Sequence, residues 1–187
     1  MSIPSNSTVW NAAAQIATRL ENIKKVRDFM NEDLDKTIEL HRIKRLDDPT
    51  RTYGAPNFLI ALVLCCYTEF WGRLVEGIPE GKSRQCFETF FKRLGKEYGN
   101  LISRGVDVYG DVRCGLAHSY FVSKTANINF GSGQCGIMYN NAGYTFNILT
   151  YKDDLITAVD QYLSGLESGT EDLAKFLCAI SGKAVLL

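Results

Sequence analysis

Asn57–Glu76, NFLIALVLCCYTEFWGRLVE, decides how the rest of the chain must be arranged. Its first half is apolar almost all round, and a helix of that kind has no face to offer to water, so other elements must surround it. The apolar run from Phe58 to Tyr67 is about half of the ~20 residues that a bilayer-spanning helix needs, and Glu69 follows it, which predicts a central core helix and no membrane span. Pro56 suits the first turn of this helix, where its missing N–H costs nothing.

Working outward, residues 8 to 45 read as one long amphipathic helix or two in tandem, because Ile16, Leu20, Ile23, Met30, Leu34 and Ile38 recur at threes and fours. The aspartates, prolines and glycine of DDPTRTYGAP end that helix, and GIPEGKS is the loop after the central one. Ser83 is a candidate cap for a helix whose apolar stripe runs from Cys86 through Phe87, Phe90, Phe91, Leu94 and Tyr98 to Leu101 and Ile102. Lys92, Arg93 and Lys96 fall on its other side. From Ala126 to Thr150 the period changes to alternation, with Ile128 and Phe130, Ile137 and Tyr139, then Tyr144, Phe146 and Ile148, and NNAG reads as a hairpin turn. A last long helix is expected from near Thr150, with Asp153 and Asp154 in its first turn and Leu155, Ile156, Val159, Tyr162, Leu163 and Leu166 on its inner face, before SGT interrupts it. The expected fold is mainly α: one domain over residues 1–187, a helical bundle with a small antiparallel β-hairpin or sheet, about residues 126–150, inserted before the last long helix.

Composition narrows the chemistry. Hydrophobic residues make up 45% of the chain, enough for a sizeable single core, and 21 basic residues balance 21 acidic ones, so there is no whole-molecule positive field to attract nucleic acid indiscriminately. The cysteines form no C-x-x-C pair and mostly sit among apolar neighbours, which fits reduced, buried thiols and argues against a disulfide framework or a zinc site. The N-terminal stretch has no basic start followed by an apolar core, so a cytoplasmic location is expected. GSGQCG, Gly131–Gly136, has glycines but no following lysine or helix signal, and reads as a hairpin connection instead of a phosphate loop. With only His41 and His118 in the chain, a hydrolase triad has few ways to exist. Asp47–Asp48 and Asp153–Asp154 read as loop and helix-start residues; no metal and no cofactor is expected.

The candidate site is VYGDVRCGLAHSYF, Val108–Phe121, predicted as a short helix starting near Asp107 or Asp111. On an α-helix Arg113 and His118 differ by roughly 140° of rotation, so they do not stack as an i, i+4 pair, yet both can reach one cleft. A guanidinium fork can hold a phosphate while an imidazole moves a neighbouring proton. The competing reading buries His118 among Leu116, Ala117 and Phe121 and ties Arg113 to Glu69 or Asp111. Glu69 interrupts an apolar helix and needs a partner, either Arg113 or Arg73 four residues on. Ser119 and Tyr120 can bind phosphate or orient the imidazole, or simply end the helix. His41 in HRIKR sits in a basic cluster that can follow an RNA backbone or be a solvated face.

The run Arg113-Cys-Gly-Leu-Ala-His118, preceded by helices and followed by an aromatic pair, resembles the Arg, four to six residues, His motif of the HEPN superfamily. That resemblance implies a helical bundle, often a homodimer, and in many members a metal-independent endoribonuclease of toxin, antiviral or RNA-processing systems, with a protein partner or antitoxin in some settings. It assigns His118 as general base or acid in attack of a ribose 2′-hydroxyl on the adjacent phosphate, and Arg113 as the stabiliser of phosphate charge. Cys114 departs from the family, which often has Asn, Asp or His there. A non-catalytic helical module that binds nucleotide, RNA or a protein is the alternative, favoured by Cys114 and the neutral net charge.

Overall fold

The computed structural model describes residues 6–42, 55–140 and 143–181. It is mainly helical with a small three-stranded sheet ahead of the last long helix, as the periodicities predict. Helix α1 (Asn6–Arg42) lays Ile23, Met30, Leu34 and Ile38 against the body, while Ala13, Ala14 and Arg19 on its earlier turns are exposed. Helix α2 (Ala55–Glu76) is the hub, packed against α1, α3 (Ser83–Phe91), α6 (Ile148–Ser168) and α7 (Leu173–Ala179). By length and composition its stretch Asn57–Glu76 is sufficient to cross a bilayer, contrary to the expectation from the apolar run alone; half of it is buried within this fold. Trp71 is fully buried there and donates its indole N–H to the Met30 thioether at 3.2 Å, which locks α2 to α1. Gly72 sits flush on α3: a Cβ at that position would lie 1.8 Å from the Cys86 carbonyl oxygen.

Several local expectations are corrected. The stripe from Ser83 to Ile102 is not one helix: a 3-10 turn at Lys92–Leu94 and Gly95 at φ 148° separate α3 from α4 (Lys96–Ser103). That backbone region is almost closed to residues with a Cβ, and the bend it permits brings Tyr98 edge-on to Phe91 at 5.0 Å. Ser83 is not the cap of α3. Lys82, at φ 51°, holds that position without a side-chain cap bond, and the Ser83 hydroxyl accepts from Arg73 at 2.8 Å.

The sheet is mixed, not purely antiparallel. Strand β3 (Gly143–Asn147) lies in the middle, antiparallel to β2 (Ile137–Asn140) and parallel to β1 (Ala126–Asn129). The β2–β3 pair is the predicted hairpin, although Asn141 and Ala142 of its turn lie outside the described residues. GSGQCG is consequently a crossover between the two edges and no hairpin connection. It is pinned to the start of α6, where Leu149 N–H donates to the Gly131 carbonyl at 3.3 Å and Gly133 N–H to the Thr150 hydroxyl at 2.9 Å. Because α6 begins at Ile148, Asp153 and Asp154 fall beyond its first turn. Asp154 has a different task, accepting from the Tyr98 hydroxyl and from Gly136 N–H. Gly169 in the left-handed region ends α6, and the Asp172 carboxylate caps α7 by accepting from Lys175 N–H at 3.1 Å.

Candidate functional site

The stretch from Tyr109 onward is helical, but its first turn is wide. Tyr109–Cys114 form a π-turn that hands over to α5 (Gly115–Ser119), and Gly115 N–H reaches back five residues to the Gly110 carbonyl. Such π-turns are rare and recur at functional sites because they re-aim side chains within a helix. Asp107 holds the turn's entry by accepting from Gly110 N–H at 2.8 Å, and its carboxylate is gripped by both terminal nitrogens of Arg84. Buried Val108, Val112 and Leu116 anchor the inner side of the turn and of α5.

Arg113 and Glu69 meet across the α2 boundary. An Arg113 Nη nitrogen lies 3.1 Å from Glu69 Oε2, while Glu69 Oε1 accepts from Arg73 at 2.7 Å. The two partners offered for Glu69 by its sequence context are therefore both present. Glu69 is only 6% exposed, and a lone carboxylate there would carry a large desolvation cost. Burial pushes its carboxyl up; the Ser83 and Arg73 hydrogen bonds and the charges of Arg113 and Arg73 outweigh that and hold it below its ordinary value. Burial likewise works against the Arg113 charge, and Glu69 above all restores it. Among the described residues neither Glu69 Oε2 nor Arg113 Nε makes a hydrogen bond, although both are buried. The contact is thus an ion pair that fixes the guanidinium without using its full fork.

His118 does not follow the competing reading. It is exposed near the end of α5, and so are Ala117 and Phe121; of the residues proposed to face the core only Leu116 does so. Arg113 pairs with Glu69, while Asp111 accepts a 3.3 Å hydrogen bond from the Tyr144 hydroxyl on β3. Ser119 donates its hydroxyl to the Gly115 carbonyl at 2.8 Å, a local helix-end bond. Tyr120 ends α5 at φ 60° and its ring meets Phe58 edge-on at 5.6 Å. Gly115 is needed for this exit, since a Cβ there would come within 2.4 Å of the Phe121 carbonyl oxygen. The side chains of His41 and Arg42 and all of residues 43–45 lie outside what the structure describes, as do Asp47 and Asp48.

Three participants were not anticipated. Tyr109 stands between two guanidinium groups, with Arg84 Cζ 4.9 Å and Arg113 Cζ 5.7 Å from its ring centroid. Ser83, read as a cap, completes the Glu69–Arg73 cluster. No local pattern announces Arg84, because its partners Asp107 and Tyr109 lie more than 20 residues on, outside its own helix. Two clefts border the region: one of about 620 Å³ includes Lys82, Arg84, Lys92 and Tyr109, and one of about 360 Å³ includes Asp107, Asp111, Tyr139 and Tyr144. Neither is lined by Arg113 or His118. Among the described residues no cluster of His, Cys, Asp and Glu has the arrangement of a metal site. Burial pushes the Cys65 thiol well up, which removes it as a ready nucleophile.

Arg113 is thus fixed against Glu69, and His118 is exposed five residues further on, near the end of α5. Comparison of the chain with protein-family models, with curated proteins and with solved structures gives no match.

Proposed function

We propose that this chain is a HEPN-like, metal-independent endoribonuclease. The observation that carries the reading is an exposed His118 five residues beyond an arginine whose guanidinium is fixed by a buried carboxylate. In the reaction, a histidine takes the proton of a ribose 2′-hydroxyl, the oxygen attacks the adjacent phosphorus, and the 5′-oxygen leaves with a proton from a second acid. The products are a 2′,3′-cyclic phosphate and a 5′-hydroxyl. Arg113 stabilises the charge that builds on the phosphate oxygens. Because one chain supplies one histidine at the motif, the acid and base come from two chains facing each other, and the active species is a homodimer.

One observation favours the second reading, a non-catalytic module binding nucleotide, RNA or protein: Arg113 already has a buried structural partner in Glu69. The two separate in one assay. Purified protein is incubated with single-stranded RNA in EDTA, and the ends of any fragments are identified by mass spectrometry. Cyclic phosphate ends that disappear with His118→Ala and Arg113→Ala support the nuclease. Folded protein that cuts no RNA leaves the binding module, and cutting that persists at full rate without His118 overturns the role assigned to that histidine.

A further inference from the structure

The sheet has one core-facing side that is left open at its end. Ile137 and Phe146 are cross-strand partners and are buried on that side. Two residues on, Tyr139 and Tyr144 are the next such pair, so their rings share the same side of the sheet. Tyr144 is buried, yet Tyr139 is 49% exposed. What lies beneath it is not core but the cleft of about 360 Å³, walled by Gly105, Val106, Asp107 and Asp111 as well as the two tyrosines. That volume is at the small end of the ~300–1,000 Å³ range of ligand pockets and suits one flat ring system.

The polar groups of this cleft discriminate among rings. Asp107 is occupied by Arg84 and Gly110. Asp111 is not: Oδ2 accepts one weak bond from Tyr144, and Oδ1 makes none among the described residues. A carboxylate with free lone pairs wants two adjacent N–H donors, and of the four RNA bases only guanine presents two such donors, N1–H and N2–H, side by side on its Watson–Crick edge. Adenine and cytosine would place a ring-nitrogen acceptor against it, and uracil offers one donor. Tyr139 supplies a stacking face, and Arg104, with Cζ 5.5 Å from the Tyr139 ring centroid, supplies positive charge at the rim for the attached phosphate.

We propose that this cleft is a nucleobase pocket that selects guanine, with Asp111 reading the Watson–Crick edge and Tyr139 stacking on the ring. The proposal rests on the ribonuclease reading for its place in the molecule: Asp111 and Arg113 belong to the same π-turn, so one element carries both the group assigned to the base and the group assigned to the phosphate. It gives that activity a sequence preference, cleavage next to guanosine.

The test uses the intact protein and two independent readouts. Titration with 5′-GMP, 5′-AMP, 5′-CMP and 5′-UMP, followed by calorimetry or by NMR of the protein, is expected to show GMP binding about tenfold or more tighter than the others. Asp111→Asn should remove most of that difference, and Tyr139→Ala should weaken GMP binding itself. Tyr139 is half exposed, so its variant remains informative if Asp111→Asn does not fold. GMP affinity equal to that of the other nucleotides, or unchanged in Tyr139→Ala, overturns the pocket whatever happens to RNA. Mapping cuts on an RNA with every dinucleotide step separates the two ideas: cleavage indifferent to guanosine sinks the pocket and leaves the nuclease, whereas selective GMP binding without any cleavage sustains the pocket and sinks the nuclease.

Discussion

One buried carboxylate faces two guanidinium groups: Glu69 lies 3.1 Å from Arg113 through Oε2, and its Oε1 accepts from Arg73 at 2.7 Å. The second contact is within α2, but the first joins α2 to the π-turn, so Glu69 ties the candidate site to the core helix. Removing one member of a buried ion pair leaves the other without compensation, at a cost of about 3–5 kcal/mol in fully enclosed cases. Here Arg113 and Arg73 retain some access to water, so Glu69→Ala is expected to cost about 3 kcal/mol in urea unfolding. A loss below about 1 kcal/mol would show that the cluster contributes little.

The same carboxylate predicts an acid limb. Its folded value lies below the ordinary 4.5, so the stability it contributes is fully present above that value and is lost as pH falls through the depressed one. Wild-type stability should decline below about pH 4.5, and Glu69→Gln should show a shallower decline over the same range. Asp107 and Glu76, also held low by their hydrogen-bonding partners, supply the limb that remains. Equal slopes for wild type and Glu69→Gln would remove Glu69 from this account.

His118 separates function from stability. Its side chain is exposed, and substitutions at exposed positions usually change stability by within about 0.5 kcal/mol. His118→Ala should therefore unfold with the wild-type midpoint while cleavage falls by about 100- to 10,000-fold, the usual cost of losing a general acid or base. A destabilised His118→Ala with proportionate activity would return the histidine to a structural role.

Leu59, Tyr120 and Phe121 are large apolar side chains at 52%, 53% and 71% exposure, and Phe58 and Tyr120 are in contact, which brings α2 and the end of α5 together. If the active species is a homodimer, this face is its expected contact. Phe121→Glu should give a monomer by light scattering and lose RNA cleavage together with it. A dimer that survives the substitution places the contact elsewhere.

The α2–α3 contact is checked by a pair of glycine substitutions. Gly72→Ala forces a Cβ to within 1.8 Å of a backbone carbonyl and should cost about 3 kcal/mol or more, the upper end of overpacking effects. Gly99→Ala, in α4 with nothing within 4 Å of the new methyl, should instead stabilise by about 0.4–1 kcal/mol. Thermal unfolding of the two variants reads both signs.

Much of the bundle was legible because burial leaves a period in the chain. Ile23, Met30, Leu34 and Ile38 recur at helical spacing, so α1 shows its buried stripe without knowledge of its partner, and the all-round apolar start of α2 implies a helix enclosed by others. Alternation around Ile137 and Phe146 likewise announced strands. These signals are local: each residue's own neighbours within two turns or one strand contain them. The break at Gly95 was hidden because the apolar stripe continues through it from Phe91 to Tyr98, and only the fold decides that the glycine's freedom is used there. Strand order escaped for a related reason, since alternation specifies which side chains face inward but not which edge pairs with which.

For the site, the sequence by itself determined an arginine and a histidine five residues apart and a carboxylate that required a partner. Only the tertiary structure decided that Arg113, widened away from regular helical geometry by a π-turn, would meet Glu69, that His118 would stay in water, and that Asp111 would turn to Tyr144 on the sheet. Those choices depend on contacts between residues more than 30 positions apart, and such contacts are set by which surfaces pack best once the whole core has formed.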